Sequence, residues 1–238
     1  MPRPLKPARR ARKTTKATRK PAPQTWPPQL SRVAAILKEL DRLYPAADCE
    51  LNRSNPFQLL CATILSAQCT DERVNMVTPA LFARFPTPAA MAKAPIAELE
   101  TLIRSTGFFH NKAKNLLGAA RMLDEKWRGE LPRSMASLLE LPGVARKTAN
   151  VVLGTAFGIA EGVVVDTHVS RLSQRLGLTR ESTAERIERD LIEIVPRPRW
   201  ILFSHQIIWH GRRVCHARKP DCDGCSLAPH CPSAFGEI

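Results

Sequence analysis

Apolar positions recur along most of this chain with the spacing of a helix face and not of a strand. From Leu30 they fall at Val33, Ile36, Leu37, Leu40 and Leu43 before Pro45, which predicts one amphipathic helix. Asn55 followed by Pro56 reads as an N-cap and a first helical position, opening a helix expected to run through Ala67. Asp71 starts another, carrying Val74, Val77, Leu81 and Phe82; Thr87-Pro88 and Ala94-Pro95 mark two further starts. Ile96, Leu99, Leu102 and Ile103 form a stripe stopped by Gly107, and Leu116, Leu117, Met122 and Trp127 belong to a longer helix stopped by Gly129. Ser182 with Glu185 fits a capping box ahead of Ile187, Leu191 and Ile194, and a last long helix is expected from Arg197 to Gly211. The only β-branched run, Val163-Val164-Val165, is too short to seed a sheet. The pattern predicts an all-α protein, in one domain or two packed lobes, with no internal repeat.

Composition agrees with helix packing on aliphatic side chains: 44% of the 238 residues are hydrophobic and only 5% aromatic. The segment Thr148 to Val165 is broken by Asn150, Gly154, Gly158, Glu161 and Gly162, so it reads as a buried helix and its exit and not as a membrane span. No apolar N-terminal stretch suggests export. The Asn52-Arg53-Ser54 triplet is therefore not expected to carry a glycan, and the seven cysteines are not expected to form a disulfide framework.

The net charge of +14 points to a polyanionic partner, nucleic acid or an acidic membrane surface. It is unevenly placed. Residues 1–28 hold nine of the 36 basic residues, no acid and seven of the 20 prolines. Like charge and proline together oppose a compact fold, so this stretch is expected to be a disordered basic tail. It is either a salt-sensitive phosphate-binding arm or a solubilising extension; a transit peptide ranks lower, because the prolines would interrupt its helix.

Two constellations carry candidate chemistry. Cys215, Cys222, Cys225 and Cys231 follow the pattern C-x6-C-x2-C-x5-C, with Asp223-Gly224 as the turn inside the close pair. Four thiolates so placed suit a tetrahedral zinc or an iron–sulfur cluster, and the spacing does not choose between them. Four unligated thiols would be the bland alternative, disfavoured in so polar a segment. Cys61 reads as a core residue, and Cys49 and Cys69 have no partner at ligand spacing. The second constellation is Leu139 to Ala149, two apolar helical segments around Pro142-Gly143. The second helix would point free N–H groups at a bound phosphate, with Arg146 and Lys147 adding charge. Lys147, expected one turn into that helix, and Asp166 in Val165-Asp166-Thr167-His168 would suit amine chemistry on a nucleic acid. By themselves they are as readily a helix lysine and an N-cap aspartate.

Taken together, the motifs resemble the endonuclease III family of the helix-hairpin-helix superfamily. The resemblance runs from about Leu30 to Cys231. It rests on Leu65-Ser66-Ala67-Gln68 with Thr70-Asp71, on Leu141-Pro142-Gly143-Val144 with Arg146-Lys147-Thr148-Ala149-Asn150, on Val165-Asp166-Thr167-His168, on His210-Gly211-Arg212 and on the four cysteines. It implies two helical lobes flanking a DNA cleft. Residues 49–160 would form a six-helix barrel with the helix-hairpin-helix; residues 29–48 and 161–238 would form a lobe carrying a 4Fe–4S cluster on the four cysteines. It also implies a base-excision repair glycosylase that removes oxidised pyrimidines through a lysine Schiff base, with β-elimination at the resulting AP site. Lys147 matches the catalytic lysine and Asp166 the catalytic aspartate. Gln68 matches the residue that fills the space left by the lesion, Phe108 stands where an apolar wedge is placed, and His168 is expected at the lesion pocket. Gly143, Ala145 and Arg146 at the hairpin and Arg218 and Lys219 between the first two cysteines are expected to contact DNA.

The chain departs from the family where the second hairpin glycine is Ala145 and where the wedge, often a smaller aliphatic, is Phe108. The adenine-mismatch branch is the nearest rival, but it lacks a lysine at the place of Lys147 and carries a further domain, whereas this chain ends seven residues after Cys231. A catalytically silent DNA-binding module would need neither Lys147 nor Asp166. The expected partner is double-stranded DNA with damaged pyrimidines or AP sites. A monomer without membrane association is expected, cytoplasmic and nucleoid-associated in a bacterium.

Overall fold

The computed structural model describes residues 27–234 and 236, so the basic tail lies, but for Pro27 and Pro28, outside the described residues. Among the described residues eleven α-helices follow one another: α1 (Leu30–Leu43), α2 (Pro56–Leu65), α3 (Asp71–Arg84), α4 (Pro88–Ala92), α5 (Ile96–Ile103), α6 (Phe109–Trp127), α7 (Met135–Leu139), α8 (Arg146–Phe157), α9 (Thr167–Arg175), α10 (Ala184–Ile194) and α11 (Trp200–Arg213). Short 3₁₀ turns at Arg104–Thr106, Arg197–Arg199 and Ala228–His230 complete the fold. The described residues contain no strand, and none of their helices is long and apolar enough to cross a membrane.

The starts are set by short polar side chains that accept an otherwise unpaired backbone N–H. Asn55, Thr70, Thr87 and Ser134 each take the N–H three residues on, at 2.9, 3.3, 3.2 and 3.2 Å. Three expected boundaries move; the last long helix runs from Trp200 to Arg213, after a 3₁₀ turn at Arg197–Arg199, and not from Arg197 to Gly211. The helix opened by Asn55 ends at Leu65 and not at Ala67, because Gln68 adopts a left-handed backbone (φ 53°) that no right-handed helix continues. The expected Ser182 capping box does not form: Thr183 occupies the N-cap of α10 and makes no side-chain cap bond.

Buried side chains fall into two separate cores. The first is built by α2 to α8 and holds Leu60, Leu65, Leu81, Met91, Leu99, Leu116, Leu123 and Leu153. The second joins α1 to α9, α10 and α11 through Ile36, Leu40, Leu172, Ile187, Leu191, Phe203 and Ile207. Residues remote in sequence thus share the second core. Arg199 and Gln206 both bond the Asp41 carboxylate, and the Tyr44 hydroxyl meets His210 Nδ1 at 3.0 Å, which fixes α1 against α11.

Helix α8 belongs to the first core and lies against the second. A Cβ on Gly154 would come within 3.0 Å of Ile201 on α11, so the glycine sets the approach of those two helices. At the groove between the cores, Arg212 of α11 holds Glu50 and, at 2.7 Å, Asp71. Trp209 Nε1 donates to Asp48 O at 3.0 Å. These polar ties bring the start of α3 and the 48–50 segment to the rim of the groove.

Candidate active site in the groove

The groove contains a cavity of about 270 Å³ lined by Lys147, Thr148, Asp166, His205, Asp48, Gln68 and Arg212 among others. An adjoining, more open space of about 740 Å³ shares Lys147, Asp166, Gln68 and Arg212 and adds Thr167 and His168. Lys147 and Asp166, 19 positions apart in the chain, thus line one cavity. Lys147 is the second residue of α8, not a turn further in, because α7 stops at Leu139 and the Glu140–Ala145 link delays the next helix to Arg146. Its amine therefore rises from the first turn of α8. Asp166 is the N-cap of α9; its Oδ1 accepts the Val169 N–H at 2.7 Å, and the cap fixes the carboxylate at the cavity wall.

The hairpin before α8 explains one glycine and excuses the loss of another. Gly143 has φ +78°, and a Cβ there would meet the Asn115 side chain at 2.8 Å. Ala145 sits in ordinary extended backbone (φ −94°, ψ 171°), where a methyl group is free of strain. Ala145 cannot cap α8 with its side chain, so the first N–H groups of α8 stay available to a ligand such as a phosphate. Arg146 forks onto Glu188 of α10, with Nε and Nη2 each 3.0 Å from a carboxylate oxygen. Asn150 Nδ2 joins the same carboxylate at 3.2 Å. Arg146 thus ties the hairpin to the second core.

His168 sits beside Asp166 with its Nδ1 at 3.3 Å from Arg171 Nη2; burial pushes its pKa down, partly opposed by the Asp166 charge. Gln68 and Phe108 are both exposed and both left-handed, with φ 53° and 48°. Phe108 is 66% exposed, an unusual position for a large apolar ring.

The four C-terminal cysteines are free thiols that line one pocket with Leu172, Val214 and Leu227. They surround the pocket instead of meeting at a point: among the described residues no three His, Cys, Asp or Glu side chains group as a single metal ion requires. Burial raises the Cys225 thiol, and raises that of Cys231 to about 11. The close pair turns through Asp221, whose Oδ1 accepts Gly224 N–H at 3.0 Å, so Asp221 and not Asp223 braces the bend. Arg218 and Lys219 are exposed in the loop between Cys215 and Cys222. That loop is shaped by Arg175 of α9, which donates to Cys215 Sγ at 3.3 Å, His216 O at 2.8 Å and Ala217 O at 2.7 Å.

Residues 61–197 match the family described as HhH-GPD superfamily base excision DNA repair protein. An endonuclease III of Synechocystis sp. is 62% identical over 203 residues, spanning 85% of this chain and 93% of that one. The chain belongs to the endonuclease III family. A structure reported as a non-covalent endonuclease III–DNA complex superposes with a TM-score of 0.83 at 43% identity, covering 87% of this chain and 97% of the other. A second, reported as a trapped endonuclease III–DNA covalent intermediate, gives a TM-score of 0.82 over the same shares. Against the endonuclease III pattern the sequence motifs pick out Lys147, Asp166 and the cysteines. They miss Glu188 and Arg175, whose partners lie 42 and 40 residues away, and they name Asp71 and Arg212 without showing that these meet each other and Glu50 across 141 or more residues. No local signal marks such pairs.

Proposed function

We propose that this protein acts on duplex DNA in base excision repair, as a glycosylase for oxidised pyrimidines with AP lyase activity. The observation that carries the reading is the shared cavity: an amine at the N-terminal turn of α8 and a carboxylate at the N-cap of α9 face the same space. In the reaction the unprotonated Lys147 amine attacks C1′ of the damaged nucleotide, and the C1′–N bond breaks with its electron pair leaving on the base. The Asp166 carboxylate opposes the positive charge that builds on the sugar as that bond breaks. Loss of the amine proton and opening of the sugar ring leave a Schiff base between Lys147 and C1′. Removal of a C2′ proton then expels the 3′ phosphate and cuts the strand.

The lesion has to leave the stack to reach the cavity, which costs a few kcal/mol and less for a damaged base. In this reading Gln68 and Phe108 fill the space it leaves, and His168 lines the entrance. The N–H groups at the start of α8, beyond Gly143 and Ala145, receive a backbone phosphate, and Arg218 and Lys219 add contacts that weaken with salt.

The donor set of four thiols around one pocket suits a 4Fe–4S cluster, whose ligands stand at separate corners, better than a single tetrahedral ion. Cys215, Cys222, Cys225 and Cys231 would hold it. When bound, the cluster supplies the positive charge that keeps four partly buried sulfurs ionised. The chain's own contribution is Arg175, which orders the basic loop beside it. In this reading residues 49–160 form the barrel lobe and residues 29–48 with 161–238 the cluster lobe. The protein works as a monomer on the DNA of a bacterial cytoplasm.

Borohydride trapping tests the reading on a duplex with one thymine glycol. Wild type is expected to give a covalent adduct and Lys147→Ala none. Excision without any adduct would move the assignment to a monofunctional, adenine-mismatch-type glycosylase. Binding without excision would make the chain a silent DNA-binding module.

A further inference from the structure

Lys112 is the one lysine among the described residues that is buried, with 4% of its surface exposed, and the chemistry above does not use it. It lies on the first turn of α6, four residues after Phe108, and its backbone N–H bonds Phe108 O at 3.1 Å. Its Nζ donates to Thr106 O at 2.8 Å. Thr106 ends the 3₁₀ turn that extends α5, so the ammonium sits where helix carbonyls carry partial negative charge. Immediately beyond come Gly107 (φ 70°) and the left-handed Phe108.

Burial pushes the Lys112 pKa down. An exposed side chain on left-handed backbone, Phe108, thus stands two residues beyond the carbonyl that a buried cation holds. Strain of this kind persists only where surrounding contacts over-determine it.

We infer that Lys112 is a positioning residue that holds the Gly107–Phe108 loop in the conformation that inserts into DNA; this rests on Phe108 being an inserting side chain. A lysine that merely closed the end of α5 would affect stability alone. The inserting role predicts an effect on the DNA stack as well.

The experiment uses the full, metal-loaded chain and a duplex with fluorescent 2-aminopurine opposite a tetrahydrofuran abasic analogue, which reports insertion without any chemistry. Lys112→Met is expected to weaken insertion about tenfold, the scale of one lost charge-assisted bond. Binding to undamaged duplex should stay within about twofold, and Lys112→Arg should restore most of the signal. Adding Phe108→Ala to Lys112→Met should cost little more, because both act through one loop. Should the methionine variant fold poorly, Lys112→Gln, which keeps a donor and drops the charge, takes its place. Unchanged insertion overturns the inference, as does a loss that runs parallel on damaged and undamaged duplex. A wild type that traps with borohydride but gives no fluorescence change overturns this inference alone; one that inserts without trapping overturns the lyase reading alone.

Discussion

At the scale of single residues, the site depends on side chains with two duties. Asp166 both caps α9 and faces the cavity. Asparagine caps a helix about as well as aspartate but brings no charge. Asp166→Asn is therefore expected to leave the melting temperature nearly unchanged and to slow single-turnover excision by about 10²-fold or more. Asp166→Ala should add a stability loss of about 1 kcal/mol from the missing cap, measurable by denaturant unfolding. The hairpin offers a contrast. Gly143→Ala places a methyl at φ +78° and against Asn115, and is expected to cost about 1–2 kcal/mol. Ala145→Gly changes a residue in extended backbone and should shift stability by only a few tenths of a kcal/mol while leaving DNA binding in place.

Between elements, the groove keeps its shape through polar ties that no helix contains by itself. Glu188 on α10 is 7% exposed and is satisfied by Arg146 and Asn150 of α8. Arg146→Ala would leave a buried carboxylate without its cation, which costs about 1–3 kcal/mol once the half-exposed arginine's own hydration is allowed for. Glu188→Gln should cost less in thermal unfolding, because the amide needs no counter-charge. His205 of α11 is buried at the cavity and lies 3.4 Å from Thr155 Oγ1 of α8. Burial pushes its pKa below the ordinary 6.5, opposed by the Asp48 charge. The folded state then binds fewer protons than the unfolded chain below pH 6.5, so stability is greatest above that pH and falls as the solution is acidified through it. His205→Gln is expected to flatten this part of the stability–pH curve, and an unchanged slope would show that other groups set it.

For the whole molecule, the charge of +14 governs how DNA is found and held. Nine of the basic residues lie within residues 1–28, upstream of the helices. A chain lacking residues 1–28 is expected to bind undamaged duplex more weakly and with a shallower dependence on salt, each lost phosphate contact lowering the slope by about 0.9. Its excision rate at saturating enzyme should not change, because Lys147 and Asp166 lie outside that segment. Equal slopes for the two chains would make the tail a solubilising extension.

The helical class, most helix starts and the chemical identity of the site were already determined by the sequence. Apolar spacing sets the buried face of each helix, and capping residues such as Asn55, Thr70 and Asp166 act within three residues of themselves, so their signals are local. Lys147, Asp166 and the four cysteines stand in motifs for the same reason. Only the tertiary structure decided which groups meet. It put Lys147 and Asp166 into one cavity, drew α1 into a core with helices more than a hundred residues later, turned Arg146 toward Glu188 and tied Lys112 to the Thr106 carbonyl ahead of Phe108. Those pairings depend on how helices pack across the groove, and packing follows from the summed shape of many side chains, which no short stretch of sequence encodes.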